Sequence, residues 1–119
     1  MIKLIIAGGR NFDDYALLRT TLDNLLSKTD YRDCTIISGC AKGADRLGER
    51  YAHDYLMEIW KMPADWNTHG KAAGYIRNKE MAEVATHCVC FWDGDSKGTK
   101  HMIDLAKQYN LILRVIMYD

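Results

Sequence analysis

The sequence has no net charge, almost no proline and no long apolar run. Its 119 residues include 16 basic and 16 acidic side chains and a single proline, Pro63. A balanced charge argues against a general binder of nucleic acids or membrane surfaces, because such proteins carry a basic excess. No apolar run approaches the roughly 20 residues of a membrane span, and no signal peptide is visible. We therefore expect a cytoplasmic protein without a membrane partner, and nucleic acid is not an expected partner.

The four cysteines do not have the spacing of a zinc motif. Cys34, Cys88 and Cys90 fall in apolar segments typical of buried strands, whereas Cys40 falls in a loop. Cys88 and Cys90 are two positions apart and would point to the same face of one strand. We interpret all four as free thiols that behave as small apolar side chains, and we expect no metal site.

Apolar segments of strand type alternate with helical patterns along the whole chain. Strands are predicted over residues 2–7, 35–38, 57–62, 87–92 and 111–117, and helices over about 13–27, 43–54, 70–84 and 98–108. This alternation predicts an α/β protein with a parallel sheet covered by helices on both faces. Right-handed crossovers favour a doubly wound, Rossmann-like sheet of five mainly parallel strands. We predict the strand order 3-2-1-4-5 in one domain over residues 1–119.

In that order the chain reverses direction between strands 1 and 4. Open α/β sheets bind ligands at such a switch point, beyond the carboxyl ends of the strands. Four short loops follow strands at this end, over residues 8–10, 38–45, 64–66 and 93–100. A small-residue turn into a helix exposes backbone N–H groups that favour an anion. The four loops together predict one shared ligand site.

The first two loops combine glycine with basic side chains. Gly8 and Gly9 would let the backbone approach a ligand, and Arg10 offers a planar fork for phosphate. The second loop contributes candidate ligand-binding residues at Ser38, Gly39, Ala41, Lys42, Gly43 and Asp45. Asp45 either accepts hydrogen bonds from a sugar hydroxyl or orients the loop. The glycine spacing fits neither a dinucleotide-binding fingerprint nor a Walker A loop.

The third loop and the helix after it add an aromatic side chain and a polar pair. Trp66 either stacks on a base or caps the core, and Asp65 could accept hydrogen bonds from a sugar or base. Arg77 and Asn78 either suit a phosphate pocket or belong to a solvated helix face.

The fourth loop joins donors for an anion to acidic side chains. Ser96, Gly98 and Thr99 stand at a helix start and offer N–H and hydroxyl donors. The negative charge of Asp93 would repel a ligand that consists of phosphate groups alone. A ligand that carries both phosphate and sugar or base donors therefore fits better.

The order of these motifs resembles the SLOG superfamily, which includes the DprA/SMF proteins and the LOG phosphoribohydrolases, and above all its YspA-like subgroup. The motifs are Gly8-Gly9-Arg10, Ser38-Gly39-x-Ala41-x-Gly43-Ala44-Asp45, Pro63-Ala64-Asp65-Trp66, Gly70-Lys71-Ala72-Ala73-Gly74, Arg77-Asn78-x-x-Met81 and Ser96-x-Gly98-Thr99-x-x-Met102-Ile103. They cover essentially the whole chain. The resemblance implies a Rossmann-like sheet, a site for a nucleotide or nucleotide-derived small molecule, and a homodimer.

The same resemblance leaves catalysis open. LOG enzymes have a Pro-Gly-Gly-x-Gly-Thr-x-x-Glu loop, and aligning Gly98 and Thr99 puts Met102 at the position of the glutamate that assists cleavage of the N-glycosidic bond. A methionine cannot act as a base. An acid that replaces the glutamate could be Asp45, Asp65, Glu80 or Asp93, and the sequence does not select one of them. Arg77 is a further candidate catalytic-site residue, which would bind the phosphate.

Three functions follow, in order of preference. The chain binds a nucleotide-like ligand as a sensor, carrier or sequestering module. Alternatively it hydrolyses a nucleotide's N-glycosidic bond, or it binds single-stranded DNA in the manner of DprA. No cofactor is required, although a phosphorylated ligand could bring Mg²⁺ with it.

Overall fold

The structure, a computed structural model that describes residues 1–119, contains five strands in one sheet. The strands are β1 (Ile2–Gly8), β2 (Cys34–Ser38), β3 (Glu58–Lys61), β4 (His87–Trp92) and β5 (Ile112–Met117). Their order is β3-β2-β1-β4-β5, and every neighbouring pair is parallel. The predicted fold class and strand order are confirmed.

Five α-helices connect the strands. They are α1 (Tyr15–Leu25), α2 (Ala44–Asp54), α3 (Trp66–His69), α4 (Ala73–Val84) and α5 (Lys97–Gln108). Side-chain caps fix three of the starts, including those of α1 and α5: Asp14 accepts the N–H of Leu17 at 3.0 Å, and Ser96 accepts that of Thr99 at 3.4 Å. Such caps bind donors that have no partner inside the helix. None of the helices is long and apolar enough to cross a membrane.

The segment between β3 and α4 differs from the prediction. A loop was expected over residues 63–69, followed by a helix from residue 70. Instead, Asp65 accepts the N–H of Thr68 at 3.1 Å and starts the four-residue helix α3. That helix ends at Gly70, whose φ of +56° lies in the left-handed region. A 3-10 turn over Gly70–Ala72 then leads into α4.

Alternate side chains of the sheet build two separate cores. In β1, Leu4 and Ile6 belong to the core under α1 and α2, whereas Ile5 belongs to the core under α4 and α5. Strands buried on both faces are typical of parallel sheets covered by helices. Cys88 and Cys90 lie on the second face with their sulfur atoms 3.6 Å apart, as their spacing predicted.

A buried hydroxyl network ties α2 to α1. Tyr51 is fully buried, and its hydroxyl donates to the carboxylate of Asp23 at 2.8 Å. The hydroxyl of Tyr31 lies 3.2 Å from that of Tyr51, and the Tyr55 hydroxyl donates to Asp23 at 3.3 Å. The network therefore anchors α2, the helix that begins at the end of the 38–45 loop.

Candidate functional site

A cavity of about 510 Å³ opens at the carboxyl ends of the central strands. It lies beside the junction of β1 and β4, which is the predicted switch point. Twelve of the seventeen predicted ligand-binding residues line it: Gly8, Gly9, Arg10, Ala41, Asp45, Trp66, Arg77, Asn78, Asp93, Ser96, Gly98 and Thr99. The loops singled out in the sequence therefore meet around one space.

Five of the predicted residues do not line the cavity: Ser38, Gly39, Lys42, Gly43 and Asp65. The buried Ser38 hydroxyl donates to Glu49 at 2.6 Å, on the other side of the loop. Lys42 is exposed, and Asp65 serves as the cap of α3. Their roles in the structure are to shape the loops or to face solvent.

The 38–45 loop binds protein acceptors rather than presenting an open anion cradle. The N–H of Ala41 donates to the carboxylate of Asp45 at 3.1 Å, and that of Cys40 donates to the Ser38 hydroxyl at 3.1 Å. The N–H of Ala44, at the start of α2, donates to the carbonyl of Gly9 at 3.3 Å. Three N–H groups of the expected cradle are thus occupied by the chain's own oxygen atoms.

Glycines in these two loops are required by loop packing. A Cβ at Gly8 would lie 2.5 Å from the carbonyl oxygen of Phe91 and 2.8 Å from the Cβ of Ala44. Gly43 has a φ of +83°, and a Cβ there would clash with the Gly9 carbonyl. The first loop therefore needs glycine to pack against its neighbours, whereas the sequence had suggested a close approach to the ligand.

Arg77 is the central cation of the cavity. Its guanidinium donates to the Gly39 carbonyl and to Asn78 Oδ1, the latter at 3.0 Å. Its Nη2 atom has no protein acceptor, and Arg77 forms no ion pair. Burial lowers the pKa of Arg77 from its ordinary value; the charge of Asp45 opposes this shift, and the charge of Arg10 adds to it. The guanidinium is therefore held in place, and the N–H groups of its Nη2 atom remain free to bind a ligand.

Asp45 places a buried carboxylate beside that cation. The residue is 5% exposed, and one of its oxygen atoms accepts the Ala41 N–H. Burial raises its pKa to about 6, although this hydrogen bond and the charge of Arg77 act in the opposite direction. Asp45 therefore orients the second loop, as one of its two predicted roles required, and also presents an acceptor to the cavity.

The start of α5 forms the opposite wall. Asn78 donates from Nδ2 to the Gly98 carbonyl at 3.4 Å and lies 3.3 Å from His101 Nδ1. The N–H groups of Lys97 and Gly98 have no protein acceptor, as expected for the first turn of a helix. Nothing lies within 4 Å of where a Cβ of Gly98 would stand. This helix start therefore leaves two N–H donors and open space for a ligand.

Asp93 shapes the loop before α5. Its carboxylate accepts the N–H groups of Asp95 and Ser96, each at 2.9 Å. These hydrogen bonds lower the pKa of Asp93 and keep it ionised. Nowhere does the structure group three or more His, Cys, Asp or Glu side chains that could hold a metal ion.

Several residues that line the cavity were not predicted from the sequence. Lys71, Gly74, Tyr75 and Met81 line the cavity together with Ala7, Asn11 and Met102. The first four share one helical face with Asn78, at spacings of three and four residues. That periodicity, anchored on Arg77 and Asn78, is the signal that would have found them. Met102, which the sequence resemblance aligned with the LOG glutamate, is 1% exposed and contributes no acidic group.

Comparison with known proteins places the chain among its relatives. A family model described as the YspA, cpYpsA-related SLOG family matches residues 2–69. The chain belongs to this SLOG family. It is 32% identical over 114 residues to the Gene 61 protein of Mycobacterium phage D29, and the match covers 91% of this chain and 90% of that protein.

A solved structure shares this SLOG fold. DNA processing protein A from Helicobacter pylori superposes with a TM-score of 0.68 at 20% identity, over 99% of this chain and 66% of that one. The chain thus spans about two thirds of that neighbour. The neighbour was described for its single-stranded DNA binding mode. This finding overturns the expectation that nucleic acid is not a partner, because a protein that shares this fold binds single-stranded DNA.

Proposed function

We propose that the chain binds a nucleotide in the cavity and holds its phosphate between Arg10, Arg77 and the first turn of α5. The observation that supports this most directly is that the cations of the cavity form no ion pair with a carboxylate of the protein. The protein has five ion pairs, and none of them includes Arg10, Lys71 or Arg77. All three cations line the same cavity.

The two arginines favour an anion for an electrostatic reason. Arg77 is partly buried and forms no ion pair; the nearby charge of Asp45 favours the charged guanidinium, whereas the charge of Arg10 acts against it. An unpaired buried charge is costly, and two facing cations repel each other. A phosphate between them offsets both costs and accepts hydrogen bonds from the planar forks.

The rest of the cavity fits the remainder of a nucleotide. The free N–H groups of Lys97 and Gly98 add donors for the phosphate. Asp45 presents a carboxylate oxygen that can accept a sugar hydroxyl. A volume of about 510 Å³ lies within the range of small-molecule sites.

Calorimetric titration with adenosine 5′-monophosphate, ribose 5-phosphate and adenosine tests this proposal. We expect both phosphorylated probes to bind, and adenosine to bind at least tenfold more weakly. EDTA should not abolish binding, because the cavity's own cations neutralise the phosphate. Equal affinity for adenosine and its monophosphate, or no binding by either phosphorylated probe, would refute the proposal.

Arg77→Gln supplies the variant for the same titration. It keeps a side-chain amide able to donate toward the Gly39 carbonyl but removes the charge, so we expect at least a tenfold loss of phosphate affinity. Arg19→Gln is the matched control, because Arg19 is exposed on α1 and outside the cavity.

Single-stranded DNA is the second candidate ligand. The shared fold with DNA processing protein A supports it, since that protein has a single-stranded DNA binding mode. A phosphate site of the kind proposed above would then hold one phosphate of a strand. Fluorescence anisotropy with a labelled oligonucleotide should show affinity that falls steeply with salt and competition by the mononucleotide. Absence of any anisotropy change at low salt would exclude this candidate.

A further inference from the structure

Two large aromatic side chains in the cavity are exposed. Trp66 is 52% exposed and Tyr75 is 46% exposed, and both line the wall formed by α3 and α4. Neither ring stacks face to face on another aromatic ring of the protein. An aromatic face that is left open inside a concave site is suited to a flat ligand group.

The indole lies close to the phosphate-binding fork. A Cβ built on Gly74 would stand 3.6 Å from Cη2 of Trp66 and 3.9 Å from Nη2 of Arg77. The indole and the unpaired end of the guanidinium therefore reach the same point on the first turn of α4. A group stacked on the indole would be within the span of one nucleotide from a phosphate on Arg77.

The local structure holds the backbone of Trp66 and the ring of Tyr75. Trp66 begins the helix α3, which the Asp65 cap and the turn at Gly70 confine to four residues. Tyr75 packs edge to face against His101, with ring centroids 4.5 Å apart and an interplanar angle of 85°. Because the backbone of Trp66 and the ring of Tyr75 are held before a ligand arrives, less ordering opposes stacking.

We propose that Trp66 is the stacking platform for a nucleobase and that Tyr75 forms the second wall of this base subsite. This inference rests on the proposed phosphate site and extends it to the chemical class of the ligand, a purine nucleoside monophosphate. The purine ring is favoured because it offers a larger flat surface to the indole than a pyrimidine does. Binding of ribose 5-phosphate, which lacks a base, does not involve the subsite.

The test compares probes with and without a base on tryptophan variants. Adenosine, guanosine and cytidine monophosphates and ribose 5-phosphate are titrated into the wild type, Trp66→Ala, Trp66→Phe and Trp60→Ala. Trp60 is the matched control: it is 44% exposed on β3, lies beside the Lys3 ammonium and is outside the cavity. Circular dichroism on each variant confirms that the fold is retained.

We expect Trp66→Ala to weaken the purine monophosphates about tenfold or more, as for other base–aromatic stacks. Ribose 5-phosphate should bind the variant as it binds the wild type. Trp66→Phe should recover most of the purine affinity, and Trp60→Ala should leave every affinity unchanged.

The outcomes separate this inference from the function on which it rests. Equal wild-type affinity for adenosine monophosphate and ribose 5-phosphate, or unchanged purine affinity in Trp66→Ala, overturns the base subsite and leaves the phosphate site standing. A preference for cytidine monophosphate over both purine nucleotides overturns the assigned ligand class. Failure of every phosphorylated probe to bind the wild type overturns both proposals.

Discussion

Replacing Asp45 by asparagine should make the protein more stable, relative to the wild type, as the pH rises. The residue is 5% exposed, and burial raises its pKa to about 6, above the ordinary value of 3.8. The folded state therefore holds the proton of Asp45 more tightly than the unfolded state does. Ionising Asp45 favours unfolding, so its cost appears as the pH rises past 3.8 and is complete above pH 6.

The size of the effect follows from that difference in pKa. It amounts to about 3 kcal/mol of unfolding free energy at pH 8, of which about 1.4 kcal/mol develops between about pH 5 and pH 8. The substituted asparagine would keep an oxygen for the Ala41 N–H but carry no charge, so Asp45→Asn removes this dependence. The stability of the variant relative to the wild type should increase across the interval.

Urea unfolding at several pH values between about 5 and 8 measures this difference. Asp95→Asn is the matched control, because Asp95 is an exposed aspartate in the loop before α5. We expect the control to follow the wild type at every pH. Parallel curves for the wild type and Asp45→Asn would refute the reasoning, because they would show that burial does not penalise this charge.

Two further predictions concern packing and buried hydrogen bonds. Gly39→Ala puts a Cβ 2.6 Å from Nη1 of Arg77, so we expect a loss of about 1–3 kcal/mol in urea unfolding and weaker binding of adenosine monophosphate. Gly98→Ala meets nothing within 4 Å and should instead gain up to about 1 kcal/mol; equal effects of the two would contradict the packing argument. Tyr51→Phe removes the hydrogen bond to Asp23 and should cost about 1.5 kcal/mol by the same assay, and no loss would show that the network adds nothing.

The sheet could be predicted from the sequence because its signal is repeated in every strand. Each apolar segment is long enough to be recognised, and chirality then restricts the strand order. Helix α3 was missed because four residues are too few to show helical periodicity. It depends instead on the cap at Asp65 and the turn at Gly70, which act locally and leave no repeated pattern.

The candidate site was predictable in its loops but not in its hydrogen bonds. Glycine-rich turns after Gly8 and Ser38 identified the right end of the sheet. The sequence cannot show that the Gly9 carbonyl accepts the N–H of Ala44, because the contact depends on how two distant loops pack. Tyr75 was not predicted because only the polar pair Arg77 and Asn78 was selected from the helix that became α4. The other residues on the same face of that helix were not considered.

The burial of Met102 bears on how this pocket could change its chemistry during evolution. Its side chain touches the cavity yet belongs to the core between the sheet and α5. A glutamate at that position would have to keep a carboxylate inside this core, where desolvation of the charge costs several kcal/mol. A gain of glycosidase activity through this position therefore needs a second, compensating substitution nearby.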